Sequence, residues 1–133
     1  MRFVVKIGEL ENYLQSLDEI LPDTEEEYLR DYVKRLATER LLQLSIEVVL
    51  DLCAMLVQQL RLGPPSDEEN ILELLRKRVK NIELIKEMKS FRNILVHRYG
   101  EINNRLVFEN ATQGRDDFEK IIEEFREIIE KSI

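Results

Sequence analysis

An all-α fold, an antiparallel bundle of four to five helices, is what the sequence predicts, and three observations predict it. Apolar residues recur at spacings of three and four through most of the chain, and two of these stripes follow helix-start signatures. Only four glycines and three prolines occur, while charged residues make up 35% of the chain. That balance favours long solvated helices over strands and turns. The length, 133 residues, suits a single domain spanning 1–133 with a hydrophobic core of its own.

Phe3, Ile7, Leu10, Leu14, Leu17 and Leu21 place one apolar stripe along a first helix that Pro22 ends. Thr24-Glu25-Glu26-Glu27 has the form of a capping box, and its acids complement the positive end of a helix dipole. A second, long helix is expected from there. It is amphipathic through Tyr28, Tyr32 and Leu36, then apolar on nearly every side from Leu41 to Leu60, as a central bundle element would be. Gly63-Pro64-Pro65 should end it, with glycine in the left-handed turn and proline unable to continue the hydrogen-bond ladder.

Ser66 and Glu69 offer a further capping box for a third helix carrying Ile71, Leu74, Leu75 and Val79. After a break near Asn81, Leu84, Met88, Phe91 and Leu95 make the buried stripe of a fourth helix, which Gly100 should terminate. Glu101 to Gly114 reads as an irregular connection tethered by Leu106-Val107-Phe108. Phe118, Ile121, Ile122, Phe125, Ile128 and Ile129 form the apolar face of a last helix. Short connections make neighbours antiparallel.

Charge is unevenly spread. The net value of −7 argues against a protein that coats nucleic acid indiscriminately, but residues 76–105 carry nine Lys and Arg against three acids, a local +6. The rest of the chain carries −13. Solvated helix faces and a confined anion site both account for this. The N-terminus lacks a long apolar signal core, and Gln43, Glu47 and Asp51 interrupt the most apolar stretch, so no membrane span and a cytoplasmic, reducing location are expected. Cys53, the single cysteine, lies in the apolar run Val48 to Val57 and is expected to be a buried structural thiol.

Chemistry concentrates in Arg92-Asn93-Ile94-Leu95-Val96-His97-Arg98-Tyr99. His97 is the only histidine, and imidazole is the side chain suited to proton transfer near neutrality. A lone histidine at a helix end is more often a surface residue or a cap at the negative end of the dipole, and it is the company of Arg92, Asn93 and Tyr99 that points to chemistry. On a continuous helix Arg92 and Tyr99 share a face, whereas Arg92 and His97 stand about 140° apart. Their convergence requires a loosened helix end, or the same segment of a second subunit across a two-fold axis. No metal is expected, since Cys53 and His97 are the only soft or imidazole ligands and Glu25-Glu26-Glu27 and Asp116-Asp117 resemble helix-start charges. No cofactor is expected either, and the lack of a glycine-rich phosphate loop argues against an ATPase or nucleotidyltransferase.

The string RNILVHRY resembles the R-x4-H-x-Y motif of HepT-like toxins in the HEPN superfamily, with polar Asn93 directly after Arg92. The resemblance implies a HEPN-like bundle acting as a homodimer, and a metal-independent endoribonuclease, an RNA hydrolase of a toxin-antitoxin system, with its active site between subunits. It also implies an MNT-type nucleotidyltransferase antitoxin as partner, which silences the toxin by adenylylating (AMPylating) the motif tyrosine. By that correspondence Arg92 and His97 are the catalytic pair, Asn93 supports them, and Tyr99 is the modification site.

Cleaving RNA through its own 2′-hydroxyl, with a 2′,3′-cyclic phosphate product, needs a proton acceptor, a proton donor and positive charge at the phosphorus. His97 can move protons, and Arg92 presents a fixed cation with donors matched to phosphate. Asn93 can orient the phosphate or the imidazole, or be a surface residue. Arg98 can bind a backbone phosphate or remain solvated, and Tyr99 can bond phosphate, stack on a base or anchor the helix end. The alternatives are a non-catalytic HEPN module, nucleotide-binding or a partner subunit of a nucleotidyltransferase, and a structural helical adaptor.

Overall fold

The computed structural model describes residues 2–97 and 102–132, and among these residues every regular element is a helix. They are α1 (Arg2–Ile20), α2 (Glu25–Arg30), α3 (Tyr32–Gln59), α4 (Glu68–Leu75), α5 (Ile82–Val96), α6 (Asn104–Thr112) and α7 (Arg115–Ser132). The all-helical expectation holds, but seven helices replace four to five. Helix α3 is the hub and packs against α1, α2, α4, α5 and α6.

The apolar stripes of α1 and α7 do as their periodicity dictates. Phe3, Ile7, Leu10, Leu14 and Leu17 are buried from α1, and Phe118, Ile121, Ile122, Phe125 and Ile129 from α7, while Leu21 and Ile128 are partly buried. Each fully buried side chain of this size contributes about 1.5–3 kcal/mol. The two helices are antiparallel, since Arg115 pairs with Asp18 at 3.0 Å and Arg126 with Glu11 at 3.0 Å. By length and composition α3 could cross a membrane, yet 56% of its most apolar window is buried within the bundle.

The long second helix of the sequence reading is two helices. Asp31 breaks it, with φ −109° and ψ 95°, closing α2 through its N–H to the Tyr28 carbonyl and starting α3 through its carboxylate, which accepts from Lys34 N at 3.0 Å. An aspartate bonds an open N–H more readily than it sits inside a helix. The bend lets Tyr28 bury completely against Phe108, with ring centroids 5.2 Å apart. Burial, then the negative charge of Glu39, push the Tyr28 hydroxyl up to about 12. Asp31→Ala should cost about 1 kcal/mol of stability with little loss of helix signal. An unchanged urea midpoint would show that packing alone sets the break.

Three local expectations are corrected. Thr24 does cap α2, accepting from Glu27 N, but α4 is capped by Asp67 rather than Ser66, with Asn70 N donating at 2.8 Å. Ser66 N instead donates to the Asn70 side chain. The first positive-φ residue after α3 is Arg61, at φ 54°, and Leu62 N bonds Val57 O at 3.1 Å, so the helix is closed before Gly63, which continues the turn at φ 132°. Helix α5 ends at Val96, ahead of Gly100, which lies outside the described residues.

The supposed irregular connection contains α6. Asn103 caps it by accepting from Leu106 N at 3.1 Å, and Val107 and Ala111 are its buried face. Gly114 makes the turn into α7 possible, because a Cβ there would lie 2.8 Å from the Asn110 carbonyl oxygen. Helix α7 in turn holds the start of α5. Asn81 makes no side-chain cap, and the Glu124 carboxylate accepts from Lys80 N, from Asn81 N at 3.1 Å and from Asn81 Nδ2 at 2.8 Å. A carboxylate here also meets the positive end of the α5 dipole.

Candidate active site

Helix α5 carries the motif. Its buried face, Ile82, Ile85, Met88, Phe91 and Leu95, fixes the helix against the core and leaves the polar residues of its last turns outside or at the boundary. Arg92 sits at that boundary, its side chain 12% exposed. Its guanidinium donates through Nη2 to Glu68 at the start of α4, lies 3.9 Å from Glu47 of α3 through Nη1, and donates through Nε to Asn93 Oδ1 at 3.0 Å. Three elements therefore aim one cation. Two carboxylates more than balance its charge, so an incoming phosphate meets an arginine already held by anions.

His97 is the C-cap of α5, exposed, with φ −104° and ψ 39°, and its N–H donates to the Asn93 carbonyl at 2.9 Å. The backbone thus leaves helical geometry at this residue. Because His97 N still makes the helical bond to Asn93, the helix continues to set where this residue leaves it, on a face about 140° round from Arg92. Asn93 is exposed beside both, tied to Arg92 by its side chain and to His97 by its carbonyl. Arg98 and Tyr99 lie outside the described residues.

Glu47 and Glu68 were not singled out from the sequence as site residues. Glu47 carried a signal, for a carboxylate within an apolar helical run needs a cation or a route to water. Cys53 is fully buried and its thiol is pushed far up by burial, as a structural thiol should be. Among the described residues, no three His, Cys, Asp or Glu side chains gather in a metal-holding group.

The chain is thus an all-helical bundle with an Arg-Asn pair in the last turns of one helix and a histidine at its end. Residues 10–125 match the family described as Ribonuclease HepT-like, and the chain belongs to that family. The tRNA nuclease HepT of Aphanizomenon flos-aquae is 31% identical over 106 residues, 77% of this chain and 70% of that protein. A putative RNase of Archaeoglobus fulgidus is 31% identical over 65% of this chain and 68% of its own length.

The fold is that of a tri-AMPylated HEPN toxin of Shewanella oneidensis solved in complex with an MNT antitoxin. That likeness has a TM-score of 0.83 at 23% identity, over 93% of this chain and 96% of the other. A toxin-antitoxin structure with AMP-PNP matches at a TM-score of 0.82, with 22% identity and the same coverage.

Proposed function

We propose that this chain is a metal-independent endoribonuclease toxin, acting in the cytoplasm as a homodimer and cleaving RNA to a 2′,3′-cyclic phosphate and a 5′-hydroxyl. The observation that carries this reading is an Arg92 held in place five residues before the helix end at His97, within a chain of the HepT-like family. His97 removes the proton of the 2′-hydroxyl, whose oxygen attacks phosphorus. The bond to the 5′-oxygen breaks, and that oxygen takes a proton from an imidazolium, which a two-fold pair supplies as the second His97. Arg92 stabilises the charge that develops on the phosphoryl oxygens, Asn93 orients the arginine, and Arg98 binds a flanking phosphate. Exposed Ile94 and Val96 lie within the motif, between Arg92 and His97 in sequence, and suit an apolar contact between two copies.

The partner is an MNT-type nucleotidyltransferase antitoxin. It silences the site by transferring AMP from ATP: the Tyr99 phenol oxygen attacks the α-phosphorus and pyrophosphate leaves. An adenylate two residues from His97 would block the cleft and bring negative charge to it.

Unmodified protein incubated with RNA in EDTA should yield cyclic-phosphate and 5′-hydroxyl ends. No cleavage would overturn the reading. The carboxylates that hold Arg92 favour a second one, a non-catalytic nucleotide-binding module or partner subunit of a nucleotidyltransferase. RNA or nucleotide binding that survives both Arg92→Ala and His97→Ala, without cleavage, would select it.

A further inference from the structure

A face of α5 separate from the one Arg92 occupies leads to the same helix end. Lys86, Lys89, Ser90, Asn93 and His97 fall within an arc of about 100° and extend for about 16 Å along the helix. Lys86, Lys89, Ser90 and Asn93 line one wall of a groove of about 360 Å³, whose other wall is Glu69, Leu72 and Glu73 of α4. Lys89 has no ion-pair partner among the described residues, and Lys86 has only Glu83, in an exposed pair at 3.6 Å. Such a pair is readily exchanged for a phosphate.

We propose that this groove is the track of a single RNA strand, with Lys86, Lys89 and Ser90 holding consecutive backbone phosphates on one side of the bond cleaved at His97. This rests on the endoribonuclease reading and adds to it where the substrate lies. The lining favours RNA over an apolar peptide, for Leu72 is buried and every other lining residue is charged or polar. The two walls divide the work. The α5 cations face the phosphates. Of the α4 acids, Glu73 is engaged with Arg76 at 3.2 Å, and Glu69 stands where amino groups of bases can donate to it. The ribose-phosphate backbone is thereby delivered along the helix to Asn93 and His97.

The test uses RNA oligonucleotides of increasing length in which every position but one is 2′-deoxy, so that only one bond can be cut. For the wild-type protein, KM should fall as nucleotides are added beyond the cleavable step. In Lys86→Gln/Lys89→Gln, the KM of the long substrates should rise about tenfold, and the salt slope of binding should shrink by about 1.4, the value for two single-strand phosphate contacts. The dinucleotide should be cut as by wild type, which also reports correct folding. Lys120→Gln/Lys131→Gln, placed in the separate groove beside α7, controls for net charge and should change neither quantity. Wild-type KM and salt slope in the α5 double variant, or an equal loss on the dinucleotide, would overturn the track. Failure of the wild type to cut any RNA would instead defeat the endoribonuclease reading.

Discussion

His97→Ala should lower the rate of RNA cleavage by about 10²–10⁴, the range a positioned general acid–base supplies. Stability should not change, because His97 is exposed and its structural bond is made by the backbone N–H, which alanine retains. Arg92→Ala should cost about 10²–10³ in turnover, as does loss of one charge-stabilising donor. It should also leave Glu47 and Glu68 without their cation. The two substitutions together should cost far less than the product of their separate effects, since they serve one transition state. Single-turnover cleavage of a defined RNA, with thermal unfolding of each variant, reads all of these. A His97→Ala protein as active as wild type would remove the histidine from the chemistry.

Arg92 and His97 are prepared differently. The arginine is held by Glu68, Glu47 and Asn93 from three directions, so little side-chain freedom is left to lose when substrate binds. The same carboxylates compete with phosphate, and a scissile group must displace or share them. Lysine at this position would carry the charge but lack the planar fork that reaches Glu68, Glu47 and Asn93 together. Among the described residues the His97 side chain meets no such partners, and the residue takes its position from the point where the helix stops. A rigid cation and an adaptable proton carrier suit a site completed by another molecule, whether RNA or a second copy.

The stripes of α1 and α7 were legible in the sequence because each is long enough to repeat its period several times, and all the residues they name but Leu21 and Ile128 are buried in the core. Asp31 was not legible as a break. On an amphipathic pattern an aspartate is equally at home on a solvated helix face, and only the burial of Tyr28 against Phe108 shows why the chain turns there. Helix α6 escaped for a related reason, since its short stripe lies among Asn, Thr and Gly residues that usually mark loops. The motif itself could be read as a string, whereas the hold on Arg92 could not. Glu47 and Glu68 lie 45 and 24 positions before Arg92, and no local spacing connects them.

Phe125→Ala should lower the free energy of unfolding by about 3–5 kcal/mol, a large part of the roughly 5–15 kcal/mol typical of a domain. Phe125 is fully buried and meets Phe3 with ring centroids 6.4 Å apart, so truncation leaves a cavity between the first and last helices. The exposed ion pairs Arg115–Asp18 and Arg126–Glu11 contribute too little to offset it. Ile128→Ala, at a partly buried position on the same helix, should cost clearly less. Urea unfolding measures both. A loss below about 1 kcal/mol for Phe125→Ala would mean that α7 is not anchored through this ring. The consequence would reach the site, because Glu124 of α7 holds the Lys80–Asn81 backbone from which α5 begins. A variant that loosens α7 should therefore let the start of α5 move and weaken RNA binding at Lys86 before it affects His97 at the opposite end.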